Sequence, residues 1–159
     1  MFDFVTPQLL AVTGAIIMEI AAMFGSSFGC LKTGNAGAAA LAEDLGQFKN
    51  VLILAAAPVT QTFYAMIVLV TTFSVVMPKL ATASMSVGWW VFAICILTGA
   101  AELHSAIFQG LVCVAGITFL PQTKGGVFTG SLLMAAYLEL EGVSGMVFAI
   151  MSFALLKLM

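Results

Sequence analysis

One carboxylate, Glu139, is the residue whose surroundings in this sequence point most directly to chemistry. It lies fifteen residues after Lys124, and an apolar run over residues 142–156 follows it. This spacing predicts a position near the middle of a long hydrophobic helix, which rises about 1.5 Å per residue. An ionisable group in hydrocarbon is costly and is usually retained for function. Glu139 is therefore the first candidate for a functional group, with a packing or assembly carboxylate as the plainer alternative.

A second polar group of residues lies in the stretch APVTQTFY, residues 57–64. Ala57, Thr60, Gln61 and Tyr64 are spaced i, i+3, i+4 and i+7, which places them on one face of a helix. Pro58 lacks a backbone N–H and crowds the preceding turn, so it predicts a bend that exposes nearby carbonyl oxygens. This helix face can therefore present several oxygen atoms to one point.

Oxygen atoms on different helices could surround the carboxylate of Glu139. Thr60 and Gln61 offer neutral oxygens from one helix, and Gln109 offers another from the next. Hard oxygen ligands around a single negative charge suit a small monovalent cation. The plainer alternatives are that Thr60 bonds back to its own helix and that the two glutamines bond between helices.

The helices that must position these groups are predicted from composition. Hydrophobic residues make up 62% of the chain and charged residues only 8%, whereas soluble domains carry about 25% charged residues. Four apolar segments lie at about residues 8–31, 50–77, 86–119 and 126–157, and each exceeds the roughly 20 residues that a membrane span requires. Asp3 and the missing positive charge argue against a signal peptide at the start. The sequence predicts an all-α membrane protein with four transmembrane helices.

The basic residues suggest an orientation. All five are lysines, and three of them, Lys32, Lys49 and Lys124, lie in or beside the connections between helices 1 and 2 and between helices 3 and 4. Positively charged connections favour the cytoplasm. We therefore expect a multi-pass protein with both termini on the non-cytoplasmic side.

The chain also matches itself when it is shifted by 80 residues, without a gap. Identical residues then coincide in both helix pairs: Ile16 with Ile96, Phe28 with Phe108, Leu52 with Leu132, Met66 with Met146, and Phe73 with Phe153. This repeat predicts two tandem hairpins, residues 1–80 and 81–159. Glu139 coincides with Val59, so only the second hairpin carries the carboxylate.

Helices 1 and 3 are rich in small residues, which favours close helix packing. Gly25 and Gly29 have the GxxxG spacing that lets two helix backbones approach. Helices 1 and 3 could thus form the inner layer of an assembly with helices 2 and 4 outside, or the same pattern could describe ordinary packing within a monomer. Both interpretations stay open at this point.

The other ionisable residues are harder to place. Glu141 lies two residues after Glu139, roughly 200° around the helix, so the two carboxylates cannot share a face. Glu102 is seven residues before Gln109, on the same face of the helix. His104 lies beside Glu102, and for it we favour a role in packing or pore lining over proton transfer. Glu19 has no predicted role.

Several other classes of function find no support in the sequence. Cys30, Cys95 and Cys113 have no spacing typical of a metal site or disulfide framework. There is no glycine-rich phosphate loop, basic patch or Ser/His/Asp arrangement. We therefore expect neither nucleic-acid binding nor enzymatic catalysis by this chain.

Taken together, the duplicated hairpin, the stretch APVTQTFY, the helix-3 motif IFQG and the helix-4 carboxylate before GVSGMVFAI resemble the proteolipid rotor subunit of V-type rotary ATPases. The similarity extends over the whole chain and is closest to the bacterial sodium-translocating form. Ala57 and Val59 depart from the family pattern, in which a bulkier residue and a glycine flank the proline.

The resemblance implies a specific site and assembly. Glu139 would carry the ion, which would be Na⁺ or, alternatively, H⁺, and Tyr64 would donate a hydrogen bond to the glutamate. The remaining ligands would be the Ala57 carbonyl and the side chains of Thr60, Gln61 and Gln109. The subunits would form a homo-oligomeric ring in lipid, facing a stator subunit that supplies an arginine and attached to central-stalk subunits.

Two functions of other classes compete with this interpretation. A small four-helix secondary transporter could exchange protons on a membrane glutamate such as Glu19, although the 80-residue repeat argues against it. A non-transporting four-helix scaffold would leave the cost of several membrane glutamates unexplained.

Overall fold

The computed structural model describes residues 5–159, so Asp3 lies outside the described residues. Four helices in this range are long and apolar enough to cross a membrane, which confirms the predicted all-α membrane fold. They are α1 (Pro7–Glu43), α2 (Leu45–Thr82), α3 (Met85–Phe119) and α4 (Phe128–Leu155). Short connections join them, so consecutive helices run in opposite directions.

The first helix is longer than the sequence predicted. Its predicted end near residue 31 was wrong, because the helix continues through Lys32 to Glu43. A lysine ends the apolar run but does not end a helix, and the alanine-rich stretch 36–42 has high helix propensity. Thr6 caps the start of the helix by accepting a hydrogen bond from the Leu9 N–H at 3.1 Å, as an N-cap threonine commonly does.

Asp44 ends α1 and begins the connection to α2. Its carboxylate accepts hydrogen bonds from the Gln47 side chain at 3.1 Å and from the Gly46 N–H at 2.9 Å. These bonds, that of Gln47 first, lower the pKa of Asp44 below its usual value. The turn is thus held by an ionised side chain.

The second helix is irregular at the position that the sequence predicted. Residues Ala57–Val59, which include Pro58, form a 3₁₀ turn, because proline cannot supply the i to i−4 hydrogen bond. A second irregularity, a π-helical turn, covers Thr72–Val76. Thr60 and Gln61 directly follow the first of these turns, and the Gln61 side chain bonds to α3.

Helices α1 and α3 run parallel and touch along their length. A Cβ added to Gly110 would lie 2.6 Å from the Cα of Gly29, and one added to Gly25 would lie 2.8 Å from the Leu103 carbonyl oxygen. The predicted GxxxG pair therefore lies at a helix contact. Since Met18 likewise faces Gly99, residues of α3 lie opposite residues about 81 positions earlier in α1.

The core has two apolar clusters with a polar layer between them. One cluster is centred on Met18, Val68 and Phe153, and the other on Leu54 and Ile117. Four buried polar side chains lie in the layer between them: Gln61, Glu102, Ser105 and Gln109. The candidate site is therefore at mid-depth in the helix bundle.

Candidate ion-binding site

Three helices bring the predicted polar residues together. Thr60 and Gln61 follow the 3₁₀ turn of α2, Gln109 lies on α3, and Glu139 lies on α4. Each of these helices is fixed by the packing of its neighbours, so the polar groups meet in a preformed arrangement.

Two donors hold the carboxylate of Glu139 from opposite sides. The Tyr64 hydroxyl donates to Oε1, and the Gln109 amide nitrogen donates to Oε2 at 2.5 Å. Gln109 also donates to the carbonyl oxygen of Ala135, one turn earlier on α4, at 3.3 Å. The carboxylate is therefore oriented by two helices besides its own.

Gln61 is fully buried and has its amide oriented by neighbouring side chains. Its nitrogen donates to Ser105 Oγ at 2.9 Å and to Gln109 Oε1 at 3.0 Å. Because both amide hydrogens are engaged on α3, the oxygen of Gln61 points toward Thr60, whose hydroxyl lies 3.3 Å from it.

The hydroxyl of Thr60 lies between two oxygen atoms. It donates to the Ala57 carbonyl at 3.0 Å, and the Gln61 oxygen is the other acceptor within reach. One hydroxyl has a single proton and two lone pairs, so it leaves acceptor capacity that is directed into the site. The bond from Thr60 to the Ala57 carbonyl is the bond back to its own helix that the sequence analysis gave as the plainer alternative for Thr60.

These oxygen atoms border a cavity on the outer face of the bundle. The cavity has a volume of about 290 Å³ and is lined by Ala57, Thr60, Gln109 and Glu139 together with apolar residues. Neutral oxygens and one carboxylate are the ligand types that hard monovalent cations accept. The residues present therefore fit a small cation as cargo.

Gln109 contributes differently from what the resemblance implied. Its nitrogen faces the carboxylate, whereas its oxygen accepts a hydrogen bond from Gln61. A ligand role for this oxygen would use its second lone pair, and that role stays a prediction. In the structure, Gln109 links the carboxylate to Gln61.

Sequence reasoning did not assign Ser105, which the structure places in the same network. Its hydroxyl accepts from Gln61 and donates to the Leu138 carbonyl oxygen at 2.6 Å. Ser105 precedes Gln109 by four residues, and this i, i+4 spacing was the available signal. It joins α2 to α4 beside the site.

Glu102 is also buried in this polar layer, without a partner among the described residues. Both of its carboxylate oxygens lack a hydrogen bond, and its side chain is 0% exposed. Gly142 and Gly145 of α4 leave the space that it occupies, since a Cβ on Gly142 would lie 2.8 Å from Oε2. One oxygen of Glu19 is buried without a partner as well.

Glu141 faces away from Glu139, as the helical spacing requires. It pairs with His104 of α3, whose Nδ1 lies 2.8 Å from Oε1 of Glu141. Neither residue contacts the carboxylate of Glu139 through a hydrogen bond in the described part of the chain.

Two comparisons relate this chain to known proteins. Residues 13–71 match the model of the ATP synthase C-subunit family. The chain is also 29% identical over 150 residues to the A-type ATP synthase subunit K of Methanocaldococcus jannaschii. That match covers 92% of this chain and 63% of the relative, so the chain spans less than two thirds of that protein's length.

Proposed function

Because this chain is a relative of the proteolipid c and K subunits of rotary ATPases, we propose that it is a subunit of a membrane rotor ring. Glu139 carries one sodium ion across the membrane as the ring turns. Subunits of this family are non-catalytic and translocate ions. ATP hydrolysis therefore belongs to other subunits of the complex.

The convergence of side chains from two other helices on one membrane carboxylate supports this function most strongly. Glu139 is only partly buried by its own chain, so its outer side faces lipid or another subunit during rotation. An uncompensated charge facing lipid has a high free-energy cost. A bound cation cancels the charge, which lets the carboxylate pass through the lipid phase.

The polar surroundings favour sodium over a proton. A proton carrier needs only a carboxylate in an apolar setting, whereas burying further polar groups costs free energy unless something binds them. Thr60, Gln109 and Glu139 line one cavity, and the oxygen of Gln61 lies 3.3 Å from the Thr60 hydroxyl. The sodium ligands are the carbonyl of Ala57 and the side chains of Thr60, Gln61, Gln109 and Glu139.

The assembly follows from the same chemistry. Identical subunits form a closed ring in the membrane, with α1 and α3 inside and α2 and α4 outside. A stator subunit supplies the positive charge that displaces the ion, since the chain contains no arginine of its own. Central-stalk subunits couple the ring to ATP hydrolysis, and we place the complex in a bacterial cell membrane with both termini non-cytoplasmic.

Carbodiimide labelling of Glu139 in membranes tests the choice of ion. Sodium should protect Glu139 from labelling, and the protection should weaken as the pH falls and protons compete for the carboxylate. Labelling that depends on pH but is indifferent to sodium at every pH would show that the ring carries protons.

A matched pair of variants tests the ligand set. Thr60→Val removes an oxygen beside the cavity, whereas Thr71→Val removes a hydroxyl that bonds only to the Ile67 carbonyl of the same helix. A lost interaction of about 1.5 kcal/mol should raise the half-protecting sodium concentration about tenfold for Thr60→Val. Thr71→Val should leave it unchanged, and equal effects of the two variants would contradict the assigned site.

A further inference from the structure

The hydrogen-bonded pair of His104 and Glu141 is exposed in a single subunit at a depth where polar side chains are costly to expose. Nδ1 of His104 lies 2.8 Å from Oε1 of Glu141, and the two side chains are 52% and 41% exposed. Both residues lie at the level of the polar layer, with apolar helix on either side. Ionisable residues at this depth almost always face the interior of a protein or a water-filled cavity. This face of α3 and α4 is therefore one that another protein surface covers.

A groove between α1 and α2 has hydroxyl groups among its lining residues. The groove has a volume of about 270 Å³ and is lined by Met23, Ser26, Ser27, Cys30, Val59 and Thr62. The hydroxyls of Ser26 and Thr62 bond to each other at 2.9 Å, whereas Ser27 is exposed. A free hydroxyl is thus available at the rim of this groove.

The two polar surfaces lie at matching depth. Within the chain, Gly29 of α1 faces Gly110 of α3 and Met18 faces Gly99, an offset of about 81 residues. If the 80-residue repeat continues around a ring, α3 of one subunit faces α1 of the next with the same stagger. The level of His104 then corresponds to about residue 25 of the neighbouring α1, within roughly 3 Å of Ser27 along the helix.

From this placement we propose that the pair of His104 and Glu141 joins neighbouring copies of this chain. Glu141 of one subunit accepts a hydrogen bond from the Ser27 hydroxyl of the next, while His104 holds the carboxylate in position. The contact is heterologous, since different surfaces of the two copies meet, and such contacts close into rings. This inference rests on the proposed ring assembly and adds the polar seam between its subunits.

Cysteine cross-linking of the assembled protein tests the seam. In a background with Cys30→Ala, the double variant Ser27→Cys with Glu141→Cys brings two cysteines within disulfide reach across the interface, where Cα atoms must lie about 4.4–6.8 Å apart. Oxidation should then produce a ladder of covalent oligomers in denaturing gels. The control pairs Ser27→Cys with Phe148→Cys, which lies two turns further along the same face of α4, about 10 Å away, and should yield no ladder.

Native mass in mild detergent separates failure of the seam from failure of the ring. An intact ring that gives no ladder with Glu141→Cys, or an equal ladder with Phe148→Cys, would overturn the seam and leave the ring standing. The Cys30→Ala background without the introduced cysteines, if it runs as a monomer, would overturn the ring and the seam together.

Two alanine variants test the proposed contact if the double cysteine variant does not assemble. Ser27→Ala removes the proposed donor, whereas Ser144→Ala removes an exposed hydroxyl that bonds back to the Leu140 carbonyl at 2.6 Å. The Ser27→Ala ring should dissociate at a lower temperature than the wild-type ring, and the Ser144→Ala ring should not. If the rings of both variants dissociate at the same temperature, the seam is contradicted.

Discussion

Gly29 is the position at which the structure gives the sharpest expectation for a single substitution. A Cβ at this residue would lie 2.6 Å from the Cβ of Pro58 and 2.7 Å from the carbonyl oxygen of Ala106. Ordinary contacts begin at 3.4 Å, so Gly29→Ala forces α1 away from both helices by several tenths of an ångström. Backbone and a proline ring are the obstacles, and neither can rotate aside.

The expected cost of Gly29→Ala is that of overpacking a tight contact, about 1–3 kcal/mol. This corresponds to about a 5- to 150-fold larger unfolding equilibrium constant. Gly34 provides the control on the same helix, because a Cβ added there meets nothing within 4 Å. Gly34→Ala should be neutral or slightly stabilising, since alanine is the better helix former.

Unfolding of the purified protein by increasing SDS in mild detergent, followed by circular dichroism, measures the difference. The midpoint for Gly29→Ala should fall below that of the wild type, with Gly34→Ala at or above it. Because Pro58 borders the site, sodium protection of Glu139 should weaken in Gly29→Ala as well. A Gly29→Ala variant as stable as the wild type would refute the close approach of α1, α2 and α3.

Three further outcomes are expected. Glu139→Gln should abolish ATP-driven sodium uptake by the reconstituted complex while leaving the ring assembled, because it removes the charge and keeps the volume; uptake at the normal rate would contradict the assignment. Glu102→Gln should raise the SDS midpoint, because it replaces a buried carboxylate that has no hydrogen bond with a neutral group of similar size; a lower midpoint would show that Glu102 has a stabilising partner. The pKa of Asp44 is lowered from its ordinary value of 3.8, so the carboxylate stabilises its turn at higher pH and loses this contribution as the pH falls through its folded-state pKa; the protection factor of the Gly46 amide, which is its exchange rate corrected for the intrinsic effect of pH, should therefore fall on acidification in the wild type and change little in Asp44→Asn.

The class of fold could be predicted from the sequence, and so could most of the residues that the structure brings together at the candidate site, with Ser105 as the exception. Long apolar runs require helices in a membrane, because no water is present to satisfy a non-helical backbone. The spacing of Ala57, Thr60, Gln61 and Tyr64 placed them on one face, since helical periodicity is local. These inferences need no knowledge of how the helices pack.

The ends of the helices were harder to predict from the sequence. Hydropathy marks where the chain leaves an apolar environment, but α1 continues for twelve residues past its predicted end, to Glu43. The helix stops at Asp44, whose backbone is extended and whose side chain caps the start of α2. Capping and propensity, which act beyond the bilayer, decide such ends.

How the polar groups are connected could not be predicted from the sequence. Which atom of Gln109 faces Glu139 depends on the donors and acceptors that the adjacent helices present, Gln61 of α2 and Ala135 of α4. The burial of Glu102 and the pairing of His104 with Glu141 likewise depend on how α3 and α4 are rotated about their axes. Periodicity assigns residues to faces of one helix, whereas contacts between helices determine what each face meets.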